Sequence, residues 1–348
     1  MEKHYLFFAS LAYAYSILRP LQEEIRRRGG VAAWYLEDSC PDMLEEGEIR
    51  LKTFDEVFKF NPIAVFAPGD WVYDFFPGVK VEVFHGYPIY KRGKKTETHF
   101  RIRGWFDLYC TQGETSTSPY KVEEARHGFF KVYETGWCKV DAFFREGKQA
   151  SRHGRPVILY STTFTKGITS APCLLDTIGH IARTRDWEWI LSFHPKFDDE
   201  AVLAAYRELA ASCPNVTFHE GGVVDAALLD SADVLLSDAS SVIVEFMLLD
   251  KPVVTFRNTV PGKHLLDVTE PDAVEGAVAE ALQRPEALME QVRTYAHKHE
   301  GHRDGKNSAR VLDAVDDFIA HHQGRLKPKP LNLFRKLKLR WKLKYFKW

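Results

Sequence analysis

The sequence predicts an α/β protein made of two Rossmann-like halves. Apolar runs of strand length alternate with longer helical patterns from residue 5 to residue 256. A polar, basic stretch, GKQASRHGRP at 147–156, interrupts the alternation once. A length of 348 residues suits two cores better than one. The expected division is 1–148 and 149–324, followed by a separate basic tail at 325–348.

The first half opens on Tyr5–Ala9, an apolar run read as a buried strand. A signal peptide could look similar, but the uncharged run Tyr5–Leu18 falls short of the ~20 residues a membrane helix needs. A helix is expected from about Ser16 to Arg28, with Pro20 tolerated only near its first turn. Gly29-Gly30 stops it, and Val31–Leu36 forms the next strand. Ile63–Phe66, Val81–Phe84 and Asp107–Cys110 read as further strands. In the second half Val157–Ser161, Glu188–Ser192, Asn215–His219, Asp233–Ser237 and Pro252–Phe256 are strands. Helical patterns near 174–184, 200–212, 223–231 and 241–249 separate them, and others near 275–283, 287–298 and 307–321 follow. Ligands in such sheets bind beyond the carboxyl ends of the strands, so a cleft between the facing halves is the expected site.

Composition narrows the function classes. Hydrophobic residues at 45% and charged residues at 27% describe an ordinary globular chain. The five cysteines include no C-x-x-C pair, which argues against a zinc site or a disulfide framework. Ten of the 47 Lys and Arg residues lie in 325–348, which holds none of the 48 acids. An acidic body with a basic tail points to an anionic partner for the tail.

The segment DVLLSDASSVIVEFMLLDKPVVTF (233–256) reads as strand, polar turn, helix and strand. Ser237, Asp238, Ser240 and Ser241 in the turn suit a helix N-terminus, where free N–H groups can receive a phosphate. A plain N-cap would use the same residues. Glu245, in the helix, is placed to accept hydrogen bonds from a diol. Two histidines end apolar strands: His85 in VFHGYP, beside Gly86, and His194 in ILSFHPK, beside Lys196. An imidazole there can move a proton near neutral pH. Arg92 and Lys166 are weaker candidates for phosphate contact.

Four blocks in order resemble the CDP-glycerol glycerophosphotransferase family of teichoic-acid and capsule polymer synthesis: FHGYPIYKRG (84–93), TGWCKVD (135–141), SFHPK (192–196) and SDASSVIVEFMLLDKPVVTF (237–256). ILYSTTFTKG (158–167) resembles the family's opening of the second domain. The resemblance implies a GT-B fold and transfer of glycerol phosphate from CDP-glycerol to a hydroxyl of a glycan or lipid-linked acceptor, releasing CMP. It implies that His85 is the base, that His194 serves the donor phosphates, and that Ser237, Asp238, Ser240 and Ser241 hold the diphosphate. Helix amides and a cationic His194 could neutralise the developing charge without a metal, so neither a metal nor a cofactor is expected. Tyr87 replaces a small hydroxyl residue of the family pattern, and Cys138 and Lys139 replace its Pro and Arg. CDP-ribitol or a nucleotide sugar would fit the same frame. A non-catalytic module that binds surface polymers is the other class of reading.

In the tail, Pro328 and Pro330 break the chain from the preceding helix. Leu331, Phe334, Leu337 and Trp341 follow helical spacing, whereas 336–345 alternate basic and apolar with period two. Aromatics among lysines suit an anionic membrane surface, at ~1 kcal/mol per basic residue, on the cytoplasmic face. Disorder and RNA binding are the alternatives for this segment, and nothing else in the chain favours nucleic acid. The tail is expected to be dispensable for folding.

Overall fold

The first strand, β1 (His4–Ala9), lies in the middle of a seven-stranded, fully parallel sheet. The computed structural model describes residues 2–88, 99–144, 154–221 and 224–346. In chain order β1 is followed by α1 (Tyr13–Arg27), β2 (Val31–Leu36), β3 (Ile49–Leu51), α2 (Phe54–Phe60), β4 (Ala64–Ala67), β5 (Val79–Glu82), β6 (Leu108–Thr111), α3 (Glu114–His127) and β7 (Lys131–Glu134). The strands order as β3-β2-β1-β4-β5-β6-β7. β1 and β4 are buried almost throughout, as expected of strands covered on both faces.

A second parallel sheet comes from β8 (Val157–Thr162), α4 (Ala171–Thr184), β9 (Glu188–Phe193), α5 (Glu200–Ser212), β10 (Val216–His219), α6 (Ala226–Ser231), β11 (Val234–Ser237), α7 (Val242–Leu248), β12 (Val253–Phe256), β13 (Leu266–Val268), α8 (Val274–Leu282) and α9 (Glu286–His299). Its order is β10-β9-β8-β11-β12-β13. Each sheet therefore reverses direction beside its first strand, between β1 and β4 and between β8 and β11. Such switch points are where Rossmann-type sheets receive ligands.

The expected division of the chain needs a correction. Two compact units form, one from Met1–Gly86, Glu97–Phe144 and Glu300–Trp348, the other from Tyr87–Thr96 and Arg145–His299. The last 49 residues thus belong with the N-terminal sheet. α10 (Asn307–His321) packs on α1, with Arg28 paired to Asp313 at 2.6 Å and Lys3 to Asp316 at 2.7 Å.

The tail is likewise part of this unit, and its period-two pattern is overridden. Leu333–Lys342 form a helix, α11, whose Leu339 is buried in the aromatic core of the unit. The Arg340 side chain is nearly buried and faces Asp74 at 3.5 Å, Lys329 pairs with Asp107 at 2.7 Å, and Tyr345 stacks on Phe75 at 4.4 Å. Removing the segment would uncover these partners, so its loss is expected to cost stability.

α1 also begins three residues before its expected start, which leaves Pro20 well inside it. Gly29, at φ 73°, ends the helix as expected. The strand expected at Val81–Phe84 is β5, ending at Glu82, because Phe84 takes φ 59° and turns the chain.

Candidate functional site

In the C-terminal unit, the site is built at the switch point between β8 and β11. The Asp238 side chain is fully buried and gathers both strand-end loops. It accepts from the backbone N–H of Thr163 (2.9 Å), Ser170 (3.0 Å) and Ala239 (2.6 Å), from the Ser170 hydroxyl (3.1 Å), and from the Thr162 hydroxyl. Ser237, also fully buried, donates to the Ser161 carbonyl at 2.6 Å. Asn258 Nδ2 donates to the Asp238 carbonyl at 2.5 Å and secures the turn from β12's side. Ser240 and Ser241 are half-buried at the surface of the turn, whereas Glu245 is buried within α7. The polar block thus divides: Ser237 and Asp238 brace the turn from inside, and Ser240 and Ser241 present it.

His194, half-buried, follows β9 in the same unit. The backbone N–H of Lys196 donates to its Nδ1 at 3.0 Å. A ring nitrogen that accepts carries no proton, so the neutral ring holds its proton on Nε2 and is a donor there. Phe164, from the loop after β8, lies 4.4 Å from the His194 ring centre, with Lys196 Nζ 6.0 Å from the Phe164 centre. Lys166 is exposed and lies 3.9 Å from Asp198.

In the N-terminal unit, His85 is exposed on a turn past β5. Its Nδ1 donates to the Pro68 carbonyl at 3.3 Å, since a carbonyl can only accept. Nε2 then keeps its lone pair. The Tyr13 ring stacks on the imidazole, with centres 5.3 Å apart.

The turn itself is held at both ends. Trp137 Nε1 donates to the Phe84 carbonyl at 3.1 Å, and Gln112 Nε2 donates to the Gly86 carbonyl at 2.9 Å. Phe84, the residue before the histidine, sits in the left-handed region, where a bulky side chain is strained; the two donors hold it there. Arg92 falls outside the described residues.

The block Gly136–Asp141 supports this turn. Gly136 has φ 75° and lies against Asn307, where a side chain would collide. The backbone N–H of Trp137 donates to Glu300 Oε2 at 3.1 Å. Asp141 accepts from the backbone N–H groups of Asn307 and Ser308, both at 2.7 Å, and so caps α10. Burial raises the Asp141 carboxyl above its usual range, against the pull of these hydrogen bonds.

Sequence reasoning missed Tyr13, Gln112, Phe164 and Asn258. Phe164 lies in the quoted block 158–167 without being singled out there, and no motif marks the other three.

A family model described as CDP-glycerol:poly(glycerophosphate) glycerophosphotransferase matches residues 65–317. The chain belongs to this family. As a glycerophosphotransferase-type enzyme it has the fold of known relatives. It superimposes on the wall teichoic acid polymerase TagF with a TM-score of 0.67 at 14% identity, covering 91% of this chain and 89% of that one. A putative UDP-N-acetylglucosamine 2-epimerase from Listeria monocytogenes gives 0.62 at 14% identity, covering 95% and 98%. The S. aureus MnaA–UDP structure gives 0.64 at 15% identity, covering 94% and 100%. These are similarities of the GT-B fold. No curated protein matches the sequence.

Proposed function

We propose that this glycerophosphotransferase-family enzyme moves glycerol phosphate, or a related polyol phosphate, from a CDP-linked donor to a hydroxyl of a glycan or lipid-linked acceptor. The acceptor oxygen bonds to the distal phosphorus, the phosphoanhydride breaks, and CMP leaves with the bond's electrons. We place the enzyme peripherally at the cytoplasmic face of the cell membrane. Among the described residues no helix is long and apolar enough to cross a membrane.

The observation that carries the reading is the opposite wiring of the two histidines. His85 keeps a lone pair on Nε2 because Nδ1 serves Pro68, which suits a base for the acceptor hydroxyl. His194 keeps a proton on Nε2 because Nδ1 serves Lys196, which suits a donor to the phosphate oxygens as charge develops on the leaving CMP. Phosphoryl transfer asks for such positioning and charge stabilisation more than for covalent chemistry.

Ser240 and Ser241 would contact the diphosphate, with Ser237, Asp238 and Glu245 as buried support and Lys196 as a nearby cation. Gly86 would let the acceptor approach the backbone of the His85 turn. TagF has been solved after soaking with CDPG, which supports a CDP-linked donor here.

The test is incubation with CDP-glycerol, CDP-ribitol and UDP-sugars, following the released nucleotide by mass spectrometry. CMP release that requires an acceptor and falls in His85→Ala supports the reading. UDP release without CMP release would move the enzyme to the nucleotide-sugar transferases.

A further inference from the structure

Of the eleven large apolar side chains exposed among the described residues, six lie between 331 and 346: Leu331, Leu333, Phe334, Leu337, Trp341 and Phe346. The helix α11 explains why they remain outside. Its residues fall into three stripes at helical spacing. Lys336, Leu339, Arg340 and Leu343 face the N-terminal unit, where Leu339 and Leu343 join the core and both cations face Asp74. Phe334, Leu337 and Trp341 form a second stripe, 91%, 45% and 79% exposed. Arg335, Lys338 and Lys342 form a third, also exposed.

The helix is therefore fixed along one side and offers an exposed apolar stripe beside a row of cations. Asn332 and Arg335 add to the clamp by donating to the Arg103 carbonyl at 2.9 and 3.0 Å.

We propose that this outward surface of α11 is a docking face for an anionic lipid bilayer, with Phe334, Leu337 and Trp341 entering the headgroup region and Arg335, Lys338 and Lys342 meeting lipid phosphates. The proposal rests on the peripheral location put forward above and assigns it to a surface. Charge complementarity names the occupant: 325–348 holds ten cations and no acid. The apolar stripe separates lipid from nucleic acid. Bases could stack on Phe334 and Trp341, but Leu331, Leu333 and Leu337 would stay in water, whereas an acyl boundary takes up all of them.

The test uses the full chain and the double variant Phe334→Glu/Trp341→Glu, both sites being too exposed to serve the core. Binding is read by co-sedimentation with phosphatidylcholine vesicles containing phosphatidylglycerol, and with phosphatidylcholine alone. The wild type is expected to bind the anionic vesicles, with about tenfold or greater loss in the double variant and in raised salt. A second variant, Lys338→Glu/Lys342→Glu, reads the charge alone and is expected to lose the preference for anionic lipid.

Vesicle binding that survives both variants would overturn the proposal. So would equal binding to neutral vesicles, or tighter binding to single-stranded RNA than to anionic vesicles. CMP release from CDP-glycerol with a soluble acceptor reads the transferase reaction separately. It is expected to be unchanged in both variants, so loss of docking and loss of the reaction are distinguishable.

Discussion

His85 and His194 both end strands of parallel sheets, and the two turns are stabilised by different means. The His85 turn is strained at Phe84 and held from outside by Trp137, Gln112 and Pro68, on three different strand-end loops. The His194 turn closes on itself through the Lys196 N–H, and Phe164 approaches from the loop after β8. The same contrast holds for buried carboxylates. Asp238 receives three backbone N–H groups and two hydroxyls. Glu37, just past β2, receives a hydroxyl from Tyr73 at 2.7 Å, and its burial raises it to about 7. The lesson is that the backbone partner of Nδ1 decides whether a ring is ready to take a proton or to give one.

The largest expected effect tests that contrast directly. His85→Ala and His85→Gln should each lower kcat by roughly 10²–10⁴, because neither side chain is a base. His194→Ala should cost roughly 10²–10³ as a lost donor, whereas His194→Gln, with an amide N–H, should recover part of it. Equal losses in the two glutamine variants would break the comparison. Steady-state CMP release measures all four.

Asp238→Ala comes next. It strands buried N–H groups at the β8 and β11 ends and should lower unfolding stability by ~3–5 kcal/mol in denaturant titration, with catalysis failing as the turn loosens. Truncation after Gly324 should cost a similar or slightly smaller ~2–4 kcal/mol, because Leu339 leaves the core and Asp74 loses its cations. A truncated protein as stable as the full chain would sink the description of α11 as part of the unit.

The smallest effect is the pH dependence from Glu37. Its folded carboxyl titrates near 7 and its unfolded one near 4.5, so the folded state holds the extra proton between those values. Stability should therefore fall as pH rises from about 4.5 to about 7, and Glu37→Gln should flatten that slope. A slope unchanged in Glu37→Gln would assign it to other groups.

Much of this was legible in the chain. The second-half strands and helices follow alternation and turn residues closely, as Val157–Thr162 and Glu200–Ser212 show. α3 was not legible: only Ser116 and Tyr120 are buried in it, so it has no apolar stripe to read. The edge strands β3 and β13 are three residues each, too short for periodicity. The serine–aspartate turn was visible as a polar block, but Asp238's inward direction depends on Thr163 and Ser170, some 70 residues away in sequence. The tail misled because its local alternation is outweighed by long-range partners, Asp74 and Asp107 among them.

The return of Glu300–Trp348 to the first sheet has a consequence for how the protein is made. The core between Arg145 and His299 comes from one continuous stretch of chain, whereas the core of the N-terminal sheet waits for Leu339 in α11, made long after its last strand. Before α11 is made, Phe54, Phe75 and their neighbours stay without Leu339 and Tyr345 over them, an exposed aromatic surface of the kind that makes partly folded chains prone to aggregate.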